Sequence, residues 1–181
     1  MMHLANPMNE PEPMLERWAN FYLLMAEAAA ALIGLLFVVI TLAAERRLSA
    51  TAKIPIYLTP TAIYFASVLF LAAVLTFPNH TRLTATVCVG LLGVIGLVYT
   101  GSFFFRRSIR SSYYDPLEWI PYAAFPFTAY ALVGSGGVLC LRDPKLGLTL
   151  VAAGMLALLA VAIRNSWAIA IGIVSAPPGR H

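Results

Sequence analysis

The chain has 181 residues, of which 60% are apolar and 11% charged, against roughly 45–50% and about 25% in soluble domains. Such a chain has too little polar surface to cover a water-facing globule. Its net charge of +4 reads as a record of membrane orientation rather than as a nucleic-acid footprint.

The charges sit in clusters. None lies between Lys53 and Arg82, between Arg82 and Arg106, or between Glu118 and Arg142, and each gap exceeds the roughly 20 residues that cross a hydrocarbon core. The pattern predicts five spans, at 18–43, 56–77, 83–105, 119–141 and 146–174. Helices are the default, because lipid cannot satisfy an open backbone and the runs lack the alternation of barrel strands. The expected fold is an all-α polytopic transmembrane bundle. It forms a single domain over 18–175, with a polar tail at 1–17 and a short tail at 176–181. The first apolar run is too long for a signal peptide and has no basic stretch before it.

Span 1 reads "NFYLLMAEAAAALIGLLFVVITLAAERR" from Asn20. At 100° per residue, Glu27 shares a side with Glu16, Asn20, Leu23, Ala30, Ala31, Gly34, Val38, Thr41 and Glu45. The opposite side holds Phe21, Leu32, Ile33, Leu36, Val39 and Ile40. The first side is small or polar and is expected to face protein or water. The second is bulky and is expected to face lipid. Ala26, Ala30 and Gly34 have the spacing that lets helix backbones approach. A carboxylate at membrane depth is costly and needs a partner, water or a proton. Three readings follow for Asn20, Glu27, Ala31, Gly34, Val38 and Thr41. They line an aqueous path around which Glu27 forms a cation-attracting ring, they hold a proton or substrate in a transporter, or they form a helix–helix seam. Glu27 lies about two turns below Trp18, so snorkelling toward the interface is a further option.

Arg46 and Arg47 close span 1, and Arg106 and Arg107 close span 3. Together with Lys53, Arg110 and Arg180 they outnumber Arg17, Arg82, Arg142 and Lys145 on the other side. The positive-inside rule then places the chain in the cell (inner) membrane with its N-terminus outside and its C-terminus cytoplasmic. Arg46, Arg47, Arg106, Arg107 and Arg164 are candidate lipid head-group contacts. Short connections, "PNHTR" and "RDPK", make spans 2–3 and 4–5 look like hairpins.

Spans 2 and 4 open alike. "IPIYLTPTAIY" from Ile54 and "IPYAAFPFTAY" from Ile120 both fit I-P-x4-P-x3-Y, so spans 1–2 and 3–4 are candidate parallel repeats, with the fifth helix added. The competing reading is generic: Pro suits a first turn and Tyr suits the interface. Pro60 and Pro126 fall inside the spans and are candidate kinks. Gly134, Gly136 and Gly137, in "GSGG", either pack a neighbour closely or break the helix, and packing is favoured. Cys88 and Cys140 are read as small apolar residues in preference to a disulfide.

The last span is long for one crossing. It tilts, projects, or ends near Ile163 and continues along the interface. Arg164 falls near its inner boundary, with Trp167 in the aromatic belt, and is too deep on the other side to pair with Glu27.

His3, His80 and His181 have no metal-ligand spacing. Neither a phosphate loop nor any nucleophile or zinc signature occurs. "YYDPLEW", with Asp115 and Glu118, reads as charge balance and a helix start. No catalytic role, metal or cofactor is expected. The leading functional expectation is a homo-oligomeric pore or transporter-like protein for a cation or proton, embedded in the lipid bilayer, with helix 1 along the pathway. The alternative is a non-transporting scaffold or accessory subunit with another membrane partner.

Overall fold

The computed structural model of the chain describes residues 14–45, 54–77, 82–105 and 116–174. These form five helices and no strands: α1 (Met14–Glu45), α2 (Ile54–Thr76), α3 (Arg82–Phe105), α4 (Pro116–Leu139) and α5 (Pro144–Val174). Four carry stretches long and apolar enough to cross a membrane, namely Trp18–Leu42, Leu58–Thr76, Leu83–Ser102 and Pro144–Ile173. In α4 the described apolar stretch, Ala124–Leu139, is shorter. The make-up is that of a multi-pass membrane protein.

Local chemistry explains several boundaries. α1 starts about a turn before Trp18, taking in part of the expected polar tail. α5 starts at Pro144, a residue with no N–H to leave unpaired. The carboxylate of Asp143 caps it, accepting from the N–H groups of Lys145 (3.0 Å) and Leu146 (3.2 Å). α5 then runs unbroken past Ile163 to Val174. Its 31 residues make a rod of roughly 46 Å, longer than a hydrocarbon core of about 30 Å. α2 and α4 likewise continue through Pro60 and Pro126.

The helices pack in the order α1–α2–α5–α4–α3, so α2 and α5 occupy the middle. α4 and α5 form the expected hairpin. α2 and α3 do not: they are joined by a short connection yet touch little, and α3 lies against α4 instead. Glycine explains this. A Cβ on Gly93 would come within 2.5 Å of the Cα of Gly134, and one on Gly137 within 3.0 Å of the backbone nitrogen of Gly90. One on Gly96 would enter the ring of Tyr130. On the other side of α4, a Cβ on Gly136 would meet the carbonyl of Gly147 at 2.8 Å, and one on Gly154 that of Ala129 at 2.7 Å. "GSGG" is thus a packing motif on a continuous helix, serving α3 and α5 at once. α2 has no glycine to offer α3.

The core between these helices is large and apolar. Phe65, Val68, Leu71, Val133, Met155 and Leu158 are fully buried. Cys88 and Cys140 are both free thiols. Burial at the α4–α5 turn pushes the Cys140 thiol up, which leaves less thiolate at neutral pH.

The two glycines at the α3–α4 crossing are not equivalent. Gly93→Ala drives its methyl into backbone and is expected to cost about 1–3 kcal/mol. Gly134→Ala makes an ordinary 3.7 Å contact and is expected to be near neutral. Thermal unfolding of both variants in mild detergent checks this, and equal losses would contradict the crossing described.

Candidate functional site

α1 packs with the side that its side-chain sizes did not suggest. Tyr22, Met25, Ala29 and Leu36 are buried, and Phe21, Leu32, Ile33, Val39 and Ile40 pack partly buried against the core. The bulky face therefore turns inward, correcting the expectation that it meets lipid. The reason is that the neighbouring core is built of large side chains, and bulk on α1 fills the space beside it. The small and polar stripe turns out of the bundle: Asn20, Glu27, Ala31, Gly34, Val38 and Thr41 are all exposed.

Among the described residues the stripe's small residues serve no other helix. A Cβ added at Gly34 meets nothing within 4 Å, and Ala26, which shares its spacing, packs into the core instead. Thr41 is satisfied locally, donating to the carbonyl of Val38 at 2.8 Å.

Glu27 lies closer to mid-helix than to the interface. Ala30 is the midpoint of the apolar stretch Trp18–Leu42, so Glu27 is roughly 4.5 Å from that midpoint and about 13.5 Å from Trp18 along the axis. Its neighbours on the exposed surface include Leu23, Leu24 and Ala31. An outward carboxylate at such depth costs about 2.5 kcal/mol or more in lipid.

Arg164 is exposed on α5 beside Trp167, which is 70% exposed. It is not the partner of Glu27. The Tyr22 hydroxyl donates to the carbonyl of Leu148 at 3.1 Å, which fixes the level of α1 against α5. Arg164 lies about 24 Å beyond Leu148 along α5, while Glu27 lies about 7.5 Å beyond Tyr22. The two charges are at least ~16 Å apart in depth. Arg46, Arg47, Arg106 and Arg107 lie outside the described residues, as do His3, His80, His181 and Asp115.

The interior holds polar groups that the sequence reading assigned elsewhere. Tyr64 and Tyr130, the last residues of the two matched motifs, are buried at the centre and do not sit at an interface. Their rings lie 6.2 Å apart. Ser67 donates its single proton to the carbonyl of Ile63 (2.8 Å), so the 2.8 Å bond between Ser67 and Tyr130 is donated by the tyrosine. The matched motifs were the signal for this pair, since they put a tyrosine at the same place in α2 and α4.

Among the described residues two buried oxygens have no hydrogen-bond partner, Thr86 Oγ1 and Asn165 Oδ1. Asn165 is only 1% exposed, and nothing in its sequence context "RNSW" marked it as buried. Among the described residues no three His, Cys, Asp or Glu side chains gather as metal ligands.

Comparisons with protein families, with characterised proteins and with solved structures find no match to this chain.

A buried amide with an unpartnered oxygen is a liability that an isosteric apolar side chain removes. Asn165→Leu is therefore expected to raise stability by about 1 kcal/mol, read as a higher thermal midpoint. A loss of similar size would mean that a water or ligand holds the amide in the membrane.

Proposed function

We propose that the chain is an oligomeric membrane protein whose α1 stripe lines a pathway for a cation or proton between copies. One observation carries the reading: Glu27 faces out of the bundle close to the middle of an apolar helix. Among the described residues a single copy offers that carboxylate no other helix, and lipid solvates it poorly. Several copies arranged with α1 inward would turn the same residue into a ring of carboxylates on the axis. Asn20 and Thr41 supply polar atoms near the two ends of the path. Ala31 and Gly34 keep it open, because neither projects bulk.

The large apolar core of the protomer supports a route between copies over one through it. In this arrangement α3, whose exposed surface includes Leu83, Val87, Leu91, Ile95 and Val98, faces lipid. We place the N-terminus outside and the C-terminus in the cytoplasm, with Arg164 and Trp167 at the inner head groups.

The second reading is a scaffold or accessory subunit. The open space over Gly34 favours it, because a partner helix docks closely on a glycine. There Glu27 pairs with a donor of that partner and nothing permeates.

Cysteine accessibility separates the two readings. Single cysteines replace Glu27, Ala31, Gly34, Val38 and Thr41 in a background without Cys88 and Cys140. Because the stripe is exposed in any case, the controls are Leu91 and Ile95, exposed on α3. A membrane-impermeant thiol reagent is expected to label the stripe and spare the controls. Glu27→Gln is expected to lower cation or proton flux in liposomes about tenfold, the effect of ~1.4 kcal/mol of lost cation stabilisation. Unlabelled stripe positions with unchanged flux would sink the pathway. A monomer in both mild detergent and native membranes would sink the assembly.

A further inference from the structure

The geometry points to a two-body device. α3, α4 and α5 form one rigid body, α1 and α2, held to each other by side chains alone, form a second and more pliable one, and the second rocks on the first, opening and closing the side between α2 and α3. This holds whatever passes along α1, and it concerns a different surface.

The first body is locked by backbone. Gly93 lies against Gly134, Gly137 against Gly90, and Gly136 and Gly154 bring α5 against α4. Contacts of this kind have no side chain that changes rotamer, so sliding them forces backbone into backbone. α1 and α2 have no such lock. α2 contains no glycine, and the one glycine of α1, Gly34, faces away from the chain.

The joint between the bodies is of another kind. α2 meets α5 through a core of bulky apolar side chains, among them Phe65, Leu71, Met155 and Leu158. Interfaces of packed side chains accommodate shear by small rotamer changes. Hydrogen bonds from Tyr130 and Tyr22 cross the joint and act as latches. Tyr130 of α4 donates to Ser67 of α2 at 2.8 Å, and Tyr22 of α1 donates to the Leu148 carbonyl of α5 at 3.1 Å. The Tyr130 ring is itself wedged against Gly96, so that latch is anchored firmly in the first body. The free edge is the poorly packed side between α2 and α3. Consecutive helices that scarcely touch are the place where the second body has room to move.

Pulsed electron paramagnetic resonance on the full chain in lipid nanodiscs tests this. With Cys88→Ser and Cys140→Ala, spin labels replace Ala73 and Val87 across the joint, or Val87 and Val138 within the first body. All three positions are exposed. In the otherwise unaltered chain the distance distribution across the joint is expected to be about twofold wider than that within the body. Releasing both latches with Tyr22→Phe and Tyr130→Phe is expected to widen or shift the first distribution and leave the second unchanged. Equal widths in the chain with latches intact overturn the inference. So does parallel broadening of both pairs in the double variant. Should the double variant not fold, the comparison with latches intact still decides.

Discussion

The crossing of α3 and α4 at Gly93 and Gly134 governs the rest of the bundle. With no side chain between them, the two backbones approach closely, and that opens the notch at Gly96 into which the Tyr130 ring fits. The position of the ring sets that of its hydroxyl, and the hydroxyl reaches Ser67. In this way a contact between two glycines on α3 and α4 fixes the depth of α2. α1 follows α2, since these two helices pack along each other. α5 is placed from the other side of α4 by Gly136, Gly147 and Gly154. In lipid, where apolar surface gives little reason for helices to associate, close backbone packing and a few interior hydrogen bonds are the available sources of specificity.

The same arrangement decides which side of α1 is left over. α2 and α5 present large apolar side chains, so the bulky side of α1 fills the space against them and its small side is excluded. Glu27 leaves the bundle with the small side. A carboxylate sequestered inside the protomer would be a matter of internal hydrogen bonding alone. Carried outward near mid-helix, it becomes a demand on whatever surrounds the protomer, and this is why the proposed function is placed between copies.

The interior hydrogen bonds have a double role. Ser67 donates to Ile63 and accepts from Tyr130, and Tyr22 donates to Leu148, so each bond adds order at depths where water is scarce. Each also bridges elements that no glycine contact ties together. Rigidity and the capacity for movement thus divide along the chain. The glycine-rich C-terminal three helices are closely locked, and the N-terminal two are held by side chains.

The sequence by itself determined the helical class and the approximate extent of the helices, because a charge-free run of more than 20 residues leaves the backbone no other way to satisfy itself in lipid. It also determined that Glu27 lies on a small-residue stripe, since helical periodicity is local, and it marked Tyr64 and Tyr130 as related positions. It did not determine which side of α1 turns inward. Bulk suits lipid and core equally, and the choice depends on the size of side chains that α2 and α5 bring from elsewhere in the chain. The burial of Asn165 and of the motif tyrosines, and the separation of α2 from α3 despite their short connection, were decided in the same manner. The last of these depends on where glycines on different helices allow backbones to meet, which is a property of pairs of helices and is written in neither one alone.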